Sequence, residues 1–267
     1  EQKGREGNGM AAEPMFAEER QNRILQLLRK QKKLLVNELC ETFGVSPATI
    51  RNDLNELEKQ GLLRRTHGGA IAGTKINFEP TSVEKDVANR ERKIAIGRAA
   101  AELVEDGDTI AVDTGTTTYY FARALAGKKK LTVVTPDLAI ARTLEDSEGV
   151  SVILAGGQVR RGFSCTVGAI ANSVLQSLAV DKAFLATNSV NAAGELCTPD
   201  IEQAEVKKNL MKMGNQVILL CDSSKFGTQS FAKFGELRDL DAVVTDRQAD
   251  PEVLQKLRAM EIVVETV

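Results

Sequence analysis

From Lys93 onward, short apolar runs rich in β-branched residues alternate with stretches of helical period, and that alternation leaves few folds open. The runs at 109–113, 131–135, 150–157, 182–187, 216–222, 241–246 and 261–265 read as strands. Residues 91–104, 119–126, 137–146, 169–178, 202–213 and 251–259 read as the helices between them. Strands separated by helices have to cross over to pair, which predicts an α/β domain with a mostly parallel sheet. Ligands of such sheets sit outside the carboxyl ends of the strands. The polar residues gather at those ends: Asp113-Thr114-Gly115-Thr116-Thr117-Thr118, Thr135-Pro136-Asp137, Gly156-Gly157-Gln158, Thr187-Asn188-Ser189 and Asp222-Ser223-Ser224-Lys225. Gly115 lets backbone approach a ligand, while threonine hydroxyls and the N–H groups opening the next helix can donate to phosphate oxygens. Lys225 supplies a mobile positive charge for the same anion. Asp137, Gly157 and Asn188 belong to the same predicted mouth.

The first part of the chain has another pattern. Helical periodicity starts at Glu18, with Ile24, Leu27 and Leu28 on one face and Arg20, Arg23, Arg29 and Lys30 expected to stay wet. Val36, Leu39, Cys40 and Phe43 form a second stripe, and Gly44 suits a left-handed C-terminal cap. In VSPATIRNDLNELEKQG, Ser46 is an N-cap and Pro47 fits the first helical position. Ile50, Leu54 and Leu57 form its buried stripe. The opposite face collects Ala48, Asn52, Asn55 and Lys59, with Thr49 and Arg51 on the flanks. Two short helices joined by a tight turn make a helix-turn-helix, and arginine, asparagine, alanine and threonine are side chains that read base edges. LLRRTHGGAIA then reads as a hairpin bending at Gly68-Gly69, projecting Arg64, Arg65 and His67 as a basic wing. A packed helical hairpin with scattered charge would show the same periodicity, and a lone histidine is more often structural than catalytic.

At 267 residues the chain accommodates two domains. Residues 1–15 read as a lead-in, 16–73 as a winged helix-turn-helix domain, 74–90 as a linker and 91–267 as the α/β domain. Over 16–73 there are 10 Lys+Arg against 7 Asp+Glu, and over 74–267 there are 23 against 27, so the two parts suit different partners. Cys40, Cys165, Cys197 and Cys221 are scattered without a CxxC pair, which points to reduced thiols, a cytoplasmic location and no metal site. No apolar run nears the ~18 residues of a membrane span. The opening residues lack the apolar core of a signal peptide.

Residues 20–70 resemble the N-terminal domain of DeoR-family transcriptional repressors. The resemblance rests on Val45-Ser46, Thr49-Ile50-Arg51, Asp53-Leu54, Leu57, Gly61, Arg65 and His67-Gly68-Gly69. One departure is LLVNE ahead of the first motif helix, where a serine or threonine often stands; its cap falls to Asn37 or is weak. Residues 79–267 resemble the family's effector domain, similar in fold to ribose-5-phosphate isomerase, through DTGTTT, VVT, ILAGGQVRR, VDKAFLAT, EVKK and DSSKFG. The resemblance implies double-stranded operator DNA as one partner, a phosphorylated sugar or sugar-alcohol as effector, and a homodimer or homotetramer. It places Asp113, Gly115, Thr116, Thr117, Thr118 and Lys225 against the effector. Pro136-Asp137 and Thr187-Asn188 depart from the commonest family strings and bear on which sugar fits.

Isomerisation of an aldose phosphate needs a positioned carboxylate to move a proton between neighbouring carbons. In the isomerase relatives it lies in an acidic loop after the strand matching KAFLAT, where this chain has Asn188, Ser189 and Asn191 and no acid before Glu195. There is no GxxxxGK[ST], GxGxxG or nucleophile-elbow string. The expectation is therefore no catalytic residue and no cofactor, in a ligand-controlled repressor. The alternatives are a sugar-phosphate isomerase-like enzyme with an accessory nucleic-acid-binding module, and a binding module whose helical front contacts another protein.

Overall fold

Alternation of apolar and polar residues at helical spacing gives the first unit its elements. A computed structural model describes residues 16–31, 33–59, 62–72, 76 and 79–267, and divides the chain into two units at Phe78/Glu79. The lead-in, Gly61 and most of the stretch between the units lie outside the described residues. Unit one comprises helix α1 (Ala17–Gln31), strand β1 (Lys33–Leu35), helices α2 (Val36–Phe43) and α3 (Pro47–Lys59), and strands β2 (Leu63–Thr66) and β3 (Gly69–Ala72). The strands form an antiparallel sheet in the order β1-β3-β2. Ile24, Leu28, Leu34, Leu39, Ile50, Leu54 and Leu57 meet in one core, so the predicted stripes face inward.

Gly44 closes α2 at φ 64, the left-handed geometry expected of it. The start of α2 differs from expectation. Its N-cap is Leu35, whose backbone N–H donates to Glu38 Oε2 at 3.2 Å, and Asn37 lies inside the helix. Glu38 thus supplies only the reciprocal half of a capping box, and no N-cap side chain accepts the N–H groups of the first turn, so the cap is weak. Gly69 lies so close to β1 that a Cβ there would fall 2.1 Å from the Leu34 carbonyl oxygen, which is why the position paired with Leu35 needs a glycine.

Unit two begins at Glu79. Its elements are α4 (Ser82–Val87), α5 (Arg90–Glu102), β4 (Thr109–Val112), α6 (Thr116–Ala124), β5 (Leu131–Thr135), α7 (Leu138–Leu144) and β6 (Val150–Leu154). There follow β7 (Gln158–Arg160), β8 (Cys165–Val167), α8 (Ala169–Gln176), β9 (Val180–Leu185), β10 (Ser189–Val190), β11 (Glu195–Thr198) and α9 (Ile201–Met213). The chain closes with β12 (Gly214–Leu220), β13 (Ala232–Glu236), β14 (Ala242–Thr245), α10 (Pro251–Ala259) and β15 (Val263–Thr266). Seven strands form a sheet in the order β15-β14-β12-β9-β4-β5-β6, every pair parallel. Successive strand residues enter opposite cores. Ile110, Val112 and Phe184 pack with Ile96, Phe121 and Ile140, while Ala111, Ala183 and Leu185 pack with Leu175, Leu210 and Leu257. Burial on both faces explains why these strands read as continuous apolar runs.

Residues 79–90, expected to belong to a linker, instead open the second unit. Thr81 caps α4, its hydroxyl accepting from the Glu84 N–H at 3.4 Å. No residue of α4 is buried, so it carries no apolar stripe that periodicity could have revealed. A hairpin β7-β8 and a small antiparallel sheet β10-β11-β13 also add to the predicted elements.

Candidate functional site

The predicted site residues fall into two groups, one in each unit. In unit one, Ser46 stands at the start of α3, where its Oγ accepts the Thr49 N–H at 3.2 Å and lies 2.9 Å from Thr49 Oγ1. Ser46, Pro47, Ala48, Arg51 and Asn52 are exposed, and Thr49 and Asn55 are half-buried. Arg64, His67 and Gly68 are exposed on the β2–β3 hairpin, with Gly68 at φ 90 in the turn. Arg65 behaves differently from its neighbours. Its guanidinium Nη1 donates to Asn55 Oδ1, and its backbone N–H donates to Glu58 Oε1 at 2.7 Å. The wing is thereby clamped to α3, and Asn55 is engaged by protein, whereas Arg51 and Asn52 face solvent. Arg20, expected to be wet, is only 7% exposed and forms a bidentate pair with Asp53, Nε to Oδ2 at 2.6 Å and Nη2 to Oδ1 at 3.2 Å. Asp53 is therefore a scaffold residue that locks α1 onto α3.

In unit two the strand order reverses beside β4, which lies between β5 and β9, and a crevice at such a switch point is where open α/β sheets bind ligands. Asp113 sits there, fully buried. Its Oδ1 accepts the Thr114 N–H at 2.8 Å, its Oδ2 accepts the Ala186 N–H from the end of β9 at 2.9 Å, and Lys207 of α9 pairs with the same oxygen. Lys207 Nζ also donates to the Ala186 carbonyl at 2.9 Å. Thr114 Oγ1 donates to Asp137 Oδ2 at 2.6 Å, while Asp137 Oδ1 accepts the Ala139 and Ile140 N–H groups that open α7. Burial pushes the Asp137 carboxyl up, against the opposing pull of Thr114 and those N–H groups.

Gly115 precedes α6, and a Cβ there would approach Ala186 Cβ at 3.1 Å. Thr117 and Thr118 are buried and Thr116 half-buried, and Thr118 Oγ1 turns back to the Gly115 carbonyl at 3.0 Å. The Thr118 hydroxyl is thus committed to the turn. Gly157 packs against β8 and α8, where a Cβ would meet the Val167 carbonyl oxygen at 2.7 Å, which makes it a packing residue; the open neighbour is Gly156. Lys225 keeps 28% of its side chain exposed, 4.0 Å from Asp222 Oδ2. Burial works against the Asp222 charge, and Lys225 leads the groups that hold its carboxyl below the ordinary range.

Several residues of this region were not singled out from sequence. Glu79 Oε1 accepts from Lys85 and from Asn188 Nδ2 at 3.0 Å, while Oε2 forms an ion pair with Arg160 Nη2 at 2.8 Å without the alignment of a hydrogen bond. Asn89 Nδ2 donates to Asp222 Oδ1 at 3.0 Å, and Tyr120 of α6 donates to Asp86 at 2.7 Å. The α4–α5 junction therefore ties the threonine turn's helix to the Lys225 loop. Lys93 is 3% exposed; burial, then repulsion from Lys225, brings its ammonium down to about 8. Lys85 is lowered by burial, then raised by Glu79 and lowered again by Lys225 and Lys207. A signal existed for two of them. Lys207 falls on the buried stripe Ala204, Lys207 and Leu210, and Lys93 on Lys93, Ile96, Gly97 and Ala100, so each is a charge placed on an apolar face.

The chain matches two family models: a DeoR-like helix-turn-helix domain over residues 20–75, and the DeoR C terminal sensor domain over residues 88–247. The HTH-type transcriptional regulator GlpR of Haloferax volcanii is 36% identical over 252 residues, covering 94% of this chain and 98% of its own. The glycerol-3-phosphate regulon repressor of Escherichia coli (strain K12) is 34% identical, covering 90% of this chain and 94% of its own. Among solved structures, ribose 5-phosphate isomerase A from Methanocaldococcus jannaschii is similar at a TM-score of 0.39 and 19% identity, over 52% of this chain and 55% of its own.

Proposed function

The chain belongs to the DeoR family of DNA-binding transcriptional regulators, and from that premise we propose that it represses a carbohydrate-utilisation operon under control of a phosphorylated sugar or sugar-alcohol. One observation carries the ligand half of this reading. At the β4/β9 switch point lysine charge collects beside a threonine turn, while the carboxylates present are already occupied. Asp113 is held by Lys207 and two N–H groups, and Asp137 by Thr114 and the start of α7. By the resemblance, Asn188, Ser189 and Asn191 occupy the loop in which an isomerase carries its base, and an amide binds hydroxyls without abstracting protons at neutral pH. Cys165, pushed up to about 11 by burial, stays a thiol. This arrangement holds an anion and reports it; it does not turn one over.

A thermal-shift screen of phosphorylated sugars tests the ligand. Melting temperature should rise with concentration of the true effector, and Lys225→Ala should abolish the rise. Product accumulating over many turnovers would overturn the reading. On the DNA side, Arg51→Ala should weaken operator binding by ~1–3 kcal/mol and relax base preference at one position. Arg65→Ala should weaken all sequences alike, because this residue holds the wing against α3. Unchanged gel-shift affinity in both variants would remove α3 and the wing from the interface. The operator's two half-sites call for a homodimer or homotetramer, acting in the cytoplasm.

A further inference from the structure

Glu79 is the first residue of the second unit, yet its carboxylate is 4% exposed and meets three groups from three separate elements: two donate to Oε1, and the third forms an ion pair with Oε2, which is left without a hydrogen bond. Lys85 comes from α4, Arg160 from β7 and Asn188 from the loop after β9. Arg160 is itself positioned: its guanidinium lies 3.9 Å from the centre of the Phe163 ring, and Nη1 donates to Gln203 Oε1 at 2.7 Å. A planar fork, an ammonium and an amide N–H converging on one oxyanion is how proteins recognise phosphate and carboxylate groups. Burial and the nearby Lys207 and Lys225 disfavour the Lys85 charge, and Glu79 is the group that offsets them. The sugar-phosphate reading uses Asn188 and the charge of Lys85 but gives Glu79 and Arg160 no part.

We propose that Lys85, Arg160 and Asn188 form an anion seat which the chain's own Glu79 fills, and that the phosphate of an effector competes with that carboxylate for it. The identity of the competitor rests on the function proposed above; the seat's preference for an oxyanion does not. An internal occupant lowers apparent affinity by the fraction of time the seat stands open. Because Glu79 is where the chain arrives from the DNA-binding unit, displacing it registers the effector at that entry point.

The test is calorimetric binding of inorganic phosphate to the full chain. Glu79→Ala empties the seat and should tighten phosphate binding about tenfold or more. Arg160→Gln in that background should erase the gain. Asp200→Asn neutralises a second carboxylate, 3.5 Å from Arg160 Nη2 and outside the seat, and should change affinity by less than about threefold, as for partly exposed pairs. Phosphate affinity within threefold of the unaltered chain for Glu79→Ala, or an equal gain from Asp200→Asn, overturns the proposal. Should Glu79→Ala not fold, Phe163→Trp provides a sole tryptophan beside Arg160, since the chain has none. Its emission should change saturably with phosphate and lose that response with Arg160→Gln; a flat titration overturns the seat. If Lys225→Ala abolishes the sugar-phosphate shift while Glu79→Ala gains nothing, the sensor function stands and the seat falls. The reverse pattern leaves an anion site without a sugar sensor.

Discussion

At the scale of single residues, the second unit keeps lysines where burial disfavours them. Lys93 is the clearest case, with an ammonium brought down to about 8 by burial and by Lys225, against about 10.4 for a free lysine. Below both values the folded and unfolded states are equally protonated, and the folded state carries the full penalty. Between them the unfolded state binds more protons, so this group's contribution to stability rises with pH and the penalty is gone above about 10.4. Lys93→Met keeps most of the stem and removes the charge. It should stabilise the chain at pH 7 by roughly 1–3 kcal/mol, with the gain shrinking to nothing by about pH 10. Thermal melts between those limits measure it. A lower melting temperature at every pH would mean that the Lys93 bond to the Lys85 carbonyl outweighs burial. Retaining such a lysine makes sense where an incoming anion relieves the cost.

At the scale of elements, ion pairs do work that apolar stripes do elsewhere. In unit one the pair Arg20–Asp53 joins α1 to α3 inside a small core. Removing one partner of a buried pair costs about 3–5 kcal/mol, so Asp53→Ala should loosen α1 and abolish DNA binding. The effector-dependent melting shift of the second unit should survive, and its loss as well would show that the damage is not confined to one unit. The same physics sets what was legible in the sequence. β5 and α10 have the predicted limits, Leu131–Thr135 and Pro251–Ala259, because a doubly buried strand is one apolar run and Asp250-Pro251 is a helix start. β13, whose sequence is AKFGE, shows no regular alternation and exists through its pairing with β11. Helix α4 was hidden for another reason: with nothing buried, it is fastened by Glu79, Lys85 and its Thr81 cap. The strand-end polar residues are legible as a group, and Thr114 links Asp113 to Asp137 through its N–H and its hydroxyl. The partners Lys207, Lys85 and Arg160 could not be assigned from spacing, because pairing across long stretches of chain is decided by the sheet order.

At the scale of the molecule, the unpaired side of the sheet's edge raises the question of what covers it. Among the described residues β6 has a neighbour on one side only, and Ile153 and Leu154 are 38% and 40% exposed; Val159 on β7 and Ile170 on α8 are 56% and 68% exposed. An edge strand with exposed apolar side chains is a surface that invites another chain, and a second copy would bring the paired reading heads that two half-sites need. Val159→Asp with Ile170→Asp places charge at positions already facing solvent, so folding should be untouched while light scattering reports a smaller assembly. DNA binding then gives an independent reading. Each phosphate neutralised contributes a slope of about −0.9 to the plot of log affinity against log salt. A dimer engaging both half-sites adds the contacts of two heads, so the disrupted protein should show roughly half the slope of the unaltered chain. An undiminished slope together with an unchanged mass would remove this edge from any contact between copies. A halved slope with unchanged mass would mean that this edge sets how the two heads engage DNA and not whether the copies associate.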